Sequence, residues 1–186
     1  ELSPVYTASI EAALSEYYDV EHVRINGQLN TLSLEEPAAN KVSQPVITNK
    51  YKAIIIAKPD SAFAKDEKDK FVIDQFIMRG GKVLWLIDPV YATMDSLRMK
   101  ENSVALANDF NLDDMLFNYG VRLNPTLVVD INSLPIPVVV DQKGNQKLIP
   151  WLFFPVIMPG SDNPIVRNLN AIKTEFVSNI DTVETP

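Results

Sequence analysis

The stretch from Tyr51 to Pro89, YKAIIIAKPDSAFAKDEKDKFVIDQFIMRGGKVLWLIDP, reads as one complete strand, helix, strand unit, punctuated at every joint. Ala53-Ile54-Ile55-Ile56-Ala57 is a continuous apolar run of the length and kind expected of a strand buried on both faces. It stops at Pro59-Asp60-Ser61. A helix is predicted from near Lys65, with Asp66 and Glu67 placing negative charge in the first turn, where the helix dipole favours it. Val72, Ile73, Phe76 and Ile77 share one face at helical spacing, and Lys68, Asp69, Asp74 and Gln75 fall elsewhere. Gly80-Gly81 ends the helix, because glycine takes the left-handed cap conformation without steric penalty. Lys82 to Ile87 then forms a second apolar run, closed by Asp88-Pro89. Two buried strands joined by an amphipathic helix predict a parallel crossover, and hence an α/β fold: a mostly parallel sheet flanked by helices.

Outside this unit the punctuation is looser. Ser3-Pro4 reads as a helix start, followed by an apolar face of Ile10, Ala13, Leu14 and Tyr17. Val20 to Ile25 is a strand candidate ended by Asn26-Gly27. Residues 28–50 are polar, contain Pro37 and Pro45, and read as a long surface loop. Beyond Pro89, residues 91–111 show only a weak pattern. Leu112 to Tyr119 is a clearer helix capped by Gly120, and Thr126 to Asp130 a short strand. The texture then changes. Pro135, Pro137, Pro150, Pro155 and Pro159 interrupt apolar runs, and Val138-Val139-Val140 and Leu148 to Phe154 flank Lys143-Gly144-Asn145, a hairpin signal. Asn163-Pro164 opens a short turn, and Thr174 to Val177 is a last strand candidate. The expected organisation is one α/β domain over residues 1–186, with residues 131–160 as a β-hairpin extension.

Composition bounds the function. The chain has 186 residues, a formal charge of -7 and no cysteine. The acidic balance and the absence of a basic patch argue against nucleic acid, because a phosphate backbone would be repelled. Thiol chemistry, disulfides and thiolate metal sites are excluded. His22 is the sole histidine, so one chain cannot build a multi-histidine metal site, and no serine sits in a nucleophile elbow beside which it could act. Glycines 27, 80, 81, 120, 144 and 160 fit neither the dinucleotide fingerprint nor the phosphate loop. No cofactor, no metal and no enzymatic activity are therefore expected. No run is long and apolar enough for a membrane helix; with Glu1 as its first residue, the chain reads as an excised soluble piece, with any anchors outside it.

What remains is a carboxylate edge and an aromatic patch. In open α/β sheets, ligands settle beyond the carboxyl ends of the strands, and those ends carry Asp60 with Ser61, Asp88 and Asp130. The functional reading is a polar ligand or cation held by these four residues; the bland one is that each terminates a strand or makes a turn. Trp151, Phe153 and Phe154, with proline breaks on both sides, form either an exposed partner-binding patch or a buried hairpin strand. Trp85 reads as packing.

The residues Tyr51 to Pro59 and Phe71 to Pro89 closely resemble the auxiliary-domain family of ABC transporters, the gliding-motility-associated substrate-binding subunits among them. Asn163-Pro164-Ile165-Val166-Arg167-Asn168-Leu169 followed by Lys173-Thr174-Glu175-Phe176 resembles that family's second signature. The resemblance implies a flavodoxin-like or class I glutamine-amidotransferase-like fold. It also implies a periplasmic domain tethered to the inner membrane by segments outside residues 1–186, and permease and ATPase subunits as partners. Amidotransferase relatives use a cysteine nucleophile; this chain has none, so that activity does not carry over, and neither does any binding residue. The expected role is a non-enzymatic subunit acting through assembly. The alternatives are a receptor for a small polar solute at the carboxylate edge, and a carboxylate-based hydrolase.

Overall fold

The computed structural model describes residues 4–37, 45–59, 61–95, 103–141, 143–160 and 163–184. Its central unit follows the apolar pattern. Strand β3 (Ala53–Ala57) pairs in parallel with β4 (Lys82–Leu86), in a register that sets Ile54 beside Val83 and Ile56 beside Trp85. Helix α2 (Lys68–Met78) connects them. It begins later than Lys65, because Ala64 to Glu67 closes a turn (Glu67 N to Ala64 O, 3.1 Å) and Glu67 takes a left-handed conformation at φ 59°. Asp69, in the first turn, does more than meet the dipole: its Oδ1 accepts the Gly27 backbone N–H at 2.6 Å. Val72, Ile73 and Phe76 are buried as their spacing requires, and Lys70 is buried with its ammonium 3.0 Å from Glu67 Oε1.

The helix ends in a two-bond cap. The Gly80 N–H donates to Ile77 O at 2.8 Å and the Gly81 N–H to Phe76 O at 2.9 Å, with Gly80 at φ 84°. That double bond from the left-handed residue and its successor is the Schellman arrangement. A Cβ on Gly81 would lie 2.3 Å from the Phe76 ring, so the second glycine is required by close approach rather than by conformation. Asn49, at the end of β2 (Val46–Asn49), secures the same corner, donating from Nδ2 to Phe76 O (2.9 Å) while its Oδ1 accepts from Arg79 Nε (2.8 Å).

The mostly parallel, flavodoxin-like sheet is not what forms. Among the described residues the β3–β4 pair is the one parallel pairing, and the other small sheets are antiparallel. β1 (Ser33–Glu36) pairs with β2 (Val46–Asn49), β5 (Val90–Tyr91) with β6 (Leu106–Ala107), and β7 (Val121–Leu123) with β11 (Ile180–Thr182). β8 (Ser133–Val139), β9 (Gln146–Ile157) and β10 (Ile172–Lys173) form a three-stranded sheet in the order β10-β9-β8. The reason lies in the connections. A parallel neighbour needs a crossover of a dozen or more residues, usually a helix, and α2 supplies one between β3 and β4. β8 and β9 are instead joined by residues 140–145 alone, too few for a crossover, which leaves only the antiparallel sense. The two central strands are also not buried on both faces: Ile55 is 48 % exposed and Leu84 52 %, while Ile54, Ile56, Val83 and Trp85 on the opposite face are half-buried.

Smaller expectations shift as well. Residues 20–25 lie outside any strand, and the predicted loop over 28–50 contains the β1–β2 hairpin, with residues 38–44 outside the described set. Ser3 also lies outside it, while α1 runs Pro4–Ser15. The helix expected over Leu112 to Tyr119 is α3 (Asp113–Asn118), followed by Gly120 at φ 79°. Residues 126–130 and 174–177 lie outside any strand and are held by isolated bonds, such as Val128 N to Val177 O at 2.9 Å, with a bend at Glu175 and Phe176 in the second.

The chain divides into two compact units, one of residues 1–87 with 109–119, the other of residues 88–108 with 120–186. In the first, Leu32, Val72, Ile73, Phe76, Phe110, Leu112, Met115 and Leu116 are buried; in the second, Val90 and Phe154. Tyr119 ties the end of α3 to α2 by donating to Asp74 Oδ1 at 2.5 Å. Burial, then the hydrogen bond and the negative charge of Asp74, push the phenol well above its ordinary range. A phenol whose folded pKa is raised contributes stability that is complete below the unfolded value, about 10, and is lost as pH rises above it. Stability is therefore expected to fall through an alkaline limb beginning near pH 10, and Tyr119→Phe to flatten that limb. The variant loses about 1–2 kcal/mol at neutral pH, the worth of a half-buried bond to a charged acceptor. Urea unfolding at a series of pH values reads both effects.

Candidate functional site

In the second unit β8 and β9 form a hairpin arm that carries exposed apolar residues. Its tip is made locally: Asp141 Oδ1 accepts the backbone N–H groups of Lys143 (2.9 Å) and Asn145 (3.0 Å), and Oδ2 accepts from Asn145 Nδ2 at 2.5 Å. Such Asx bonding reproduces a backbone turn with a side chain. The Asn145 side-chain bond first, and the backbone donors after it, hold the Asp141 carboxyl below the usual carboxylate range. Gly144 supplies the positive φ of 80° that closes the loop. The Lys143-Gly144-Asn145 signal thus marks a real antiparallel hairpin, with Val139 opposite Gln146, Pro137 opposite Leu148 and Pro135 opposite Pro150.

Along the arm, paired residues share a face. Pro135, Pro137, Val139, Leu148 and Pro150 line one face and are all exposed. Towards the base the register shifts between Ser133 and Pro135, so that Ser133 faces Pro155. There the arm is anchored by aromatic contacts. Phe154 is 3 % exposed and meets Phe176 edge-on at 5.3 Å between centroids, and the Lys173 ammonium lies 5.1 Å from the Phe154 centroid. Trp151 and Phe153 are 5.8 Å apart and half-buried. Phe176 reaches this cluster because its backbone N–H donates to Phe153 O (3.0 Å) and its φ of 52° turns the chain away immediately afterwards.

Of the aromatic patch, then, Phe154 packs inward, Trp151 and Phe153 sit at the boundary, and the exposed apolar surface belongs to Leu148, Ile149 and Leu152 beside them. Sequence reasoning chose the aromatics as part of an apolar stretch with proline breaks on both sides. The missed residues were signalled by the run Leu148-Ile149-Pro150, apolar with no polar alternation in an expected edge strand. Lys173 and Phe176 were visible only as part of a terminal strand candidate.

The carboxylate residues are distributed as follows. Asp60 lies outside the described residues. Ser61 follows β3 in the first unit, whereas Asp88 and Asp130 belong to the second. The Asp88 carbonyl accepts from Asn108 Nδ2 at 2.8 Å, and Asp130 Oδ1 accepts the Asn132 N–H at 2.8 Å, another Asx turn. Among the described residues no group of three or more His, Asp and Glu is placed to hold a metal ion, and no helix is long and apolar enough to cross a membrane. His22 is exposed and sits 3.0 Å from Glu11.

Comparison with known proteins gives one positive finding. The model of a family described as ABC-type uncharacterized transport system matches residues 1–186. No curated protein and no solved structure matches the chain.

Proposed function

We propose, from the premise that this chain belongs to the ABC-type uncharacterized transport system family, that it is a non-enzymatic accessory subunit of an ABC transporter, working by assembly with other proteins. The match over residues 1–186 carries the reading. The exposed apolar arm supports it, since an apolar face of this kind is what an interaction surface offers. In this reading the domain stands on the periplasmic side of the inner membrane, held there by segments beyond residues 1–186, and its partners are the permease and ATPase subunits. The resemblance of Tyr51 to Pro89 to the gliding-motility-associated subunits supports a narrower role in gliding motility or a related export task.

The test is co-extraction. A tagged copy of the protein, expressed in its own cells and extracted gently from membranes, is expected to bring down a permease and an ATPase of the ABC type. Repeated recovery without either subunit overturns the reading.

A further inference from the structure

The hydrogen bonding of the arm leaves its two edges unequal. Val140 N–H donates to Asn145 O at 2.9 Å. In an antiparallel pair, bonded and non-bonded positions alternate, so with the observed register Val138–Lys147 and Ile136–Ile149 are bonded inward. Pro135, Pro137 and Val139 then face the outer edge of β8, and Gln146, Leu148 and Pro150 the outer edge of β9. On β8 two of those three positions are prolines, which have no N–H to give, and such an edge cannot template another strand. On β9 the N–H groups of Gln146 and Leu148, and the C=O groups of Gln146, Leu148 and Pro150, point outward. β10 pairs with β9 only at Val156 and Ile157, and the segment after it bonds Pro155 O through Thr174 and Phe153 O through Phe176 before turning away. Residues 146–150 are exposed throughout, Leu148 at 65 %.

That edge is self-complementary. Set antiparallel against a second copy with Leu148 opposite Leu148, each Leu148 N–H meets the other's Leu148 C=O, and each Gln146 N–H meets the other's Pro150 C=O. Every outward donor of the segment is used, and the N–H that Pro150 lacks falls at the end of the paired stretch. Electrostatics points to the same place. Residues 131–160 carry Asp141, Lys143 and Lys147, net +1, on a chain of net charge -7, so the rest carries -8. Contact through the arms joins two acidic bodies at a part that is not itself acidic. It also brings the Lys143 of one tip towards the other copy's segment through Glu175 and Phe176, which occupies the same β9 edge next along. We propose that the chain forms a two-fold dimer in which the β9 edges pair antiparallel about Leu148, joining two arms into one four-stranded sheet. The Leu148 side chains then lie side by side on the exposed apolar face, which gives the pair a hydrophobic contact besides its backbone bonds.

The absence of cysteine makes the test clean. Directly opposed bonded residues in an antiparallel pair have Cα atoms about 5.5 Å apart, within the usual disulfide span. Leu148→Cys is therefore expected to oxidise to a covalent dimer of the whole chain at low protein concentration, and Val139→Cys, on the same face of the other strand, at least tenfold more slowly. Sedimentation of the unmodified chain over a concentration series should show a monomer–dimer equilibrium. Leu148→Pro should weaken it by roughly thirtyfold, the worth of two net hydrogen bonds, without disturbing β8–β9 pairing, because the lost N–H points away from β8. Circular dichroism checks that the variant stays folded. The proposal is overturned by a chain that stays monomeric, by a dimer indifferent to Leu148→Pro, or by equal cross-linking from positions 139 and 148. A monomer whose edge is taken only by a strand of another protein overturns it too.

Discussion

Phe76→Ala is expected to lower the unfolding free energy by about 3–5 kcal/mol, the range for emptying a fully buried aromatic site. Phe76 is 0 % exposed, and it stands where three local devices meet. Its carbonyl accepts both the Gly81 N–H that caps α2 and the Asn49 side chain from β2, and its ring fills the space that a Gly81 Cβ would need. The backbone bonds survive truncation, so the loss is packing: a cavity under the helix that holds the parallel pair together. Gly81→Ala tests the same corner from the other side. Its added methyl would lie 2.3 Å from a ring with nowhere to go, which costs about 1–3 kcal/mol by overpacking. In the double variant the methyl enters space that the ring has left. The cost of Gly81→Ala should then shrink to a few tenths of a kcal/mol, giving a coupling energy of about 1–2 kcal/mol between neighbours in contact. Denaturant midpoints of the four proteins in the cycle measure it, and strict additivity would show that the two residues do not share this space.

The same corner shows why part of the fold was legible in the sequence and part was not. Helical spacing, a two-glycine stop and two apolar runs are local signals, and each fixes what its own residues do; β3 and β4 followed from them almost to the residue, and α2 with a start three residues later than Lys65. The number of strands that join the parallel pair is not local. Ala53 to Ala57 reads the same whether one face or both are covered, because an uninterrupted apolar run carries no alternation to say which side meets water. The expectation of a mostly parallel sheet extrapolated from one crossover to the whole chain. The short connection over residues 140–145 already favoured an antiparallel neighbour there. The hairpin was legible for the opposite reason: Lys143-Gly144-Asn145 is turn chemistry within a few residues, and Asp141 completes it. What could not be read was which side of that hairpin remains open. That depends on hydrogen-bond parity, and a shift of one residue exchanges the proline-blocked positions with the bonded ones.

Phe154→Ala is expected to cost a further large amount, about 3–5 kcal/mol, and its consequences should reach the arm. The ring is 3 % exposed, packs edge-on against Phe176, and lies under the Lys173 ammonium. Phe154→Leu separates the contributions: it keeps most of the buried volume and gives up the aromatic geometry, worth about 0.5–1.5 kcal/mol for the ring pair and about 0.5–1 kcal/mol for the cation at a half-exposed lysine. A loss of about 1–2 kcal/mol is therefore expected for leucine, and Lys173→Met should reproduce only the cationic share. Phe71→Ala serves as the reference, since Phe71 is 52 % exposed and its truncation should cost less than 1 kcal/mol. The cluster sits where the register of β9 shifts from its arm-side pairing to its base-side pairing, and Phe176 is the residue at which the neighbouring segment leaves the β9 edge. An isolated two-stranded ribbon is marginally stable in water, so the arm keeps its edge in a defined register only while its base is clamped. Phe154→Ala should accordingly weaken self-association even in molecules that remain folded, whereas Phe154→Leu should leave it nearly intact. Sedimentation of both variants, at a temperature where each is folded, distinguishes a clamp that sets the register from a core residue that only adds stability.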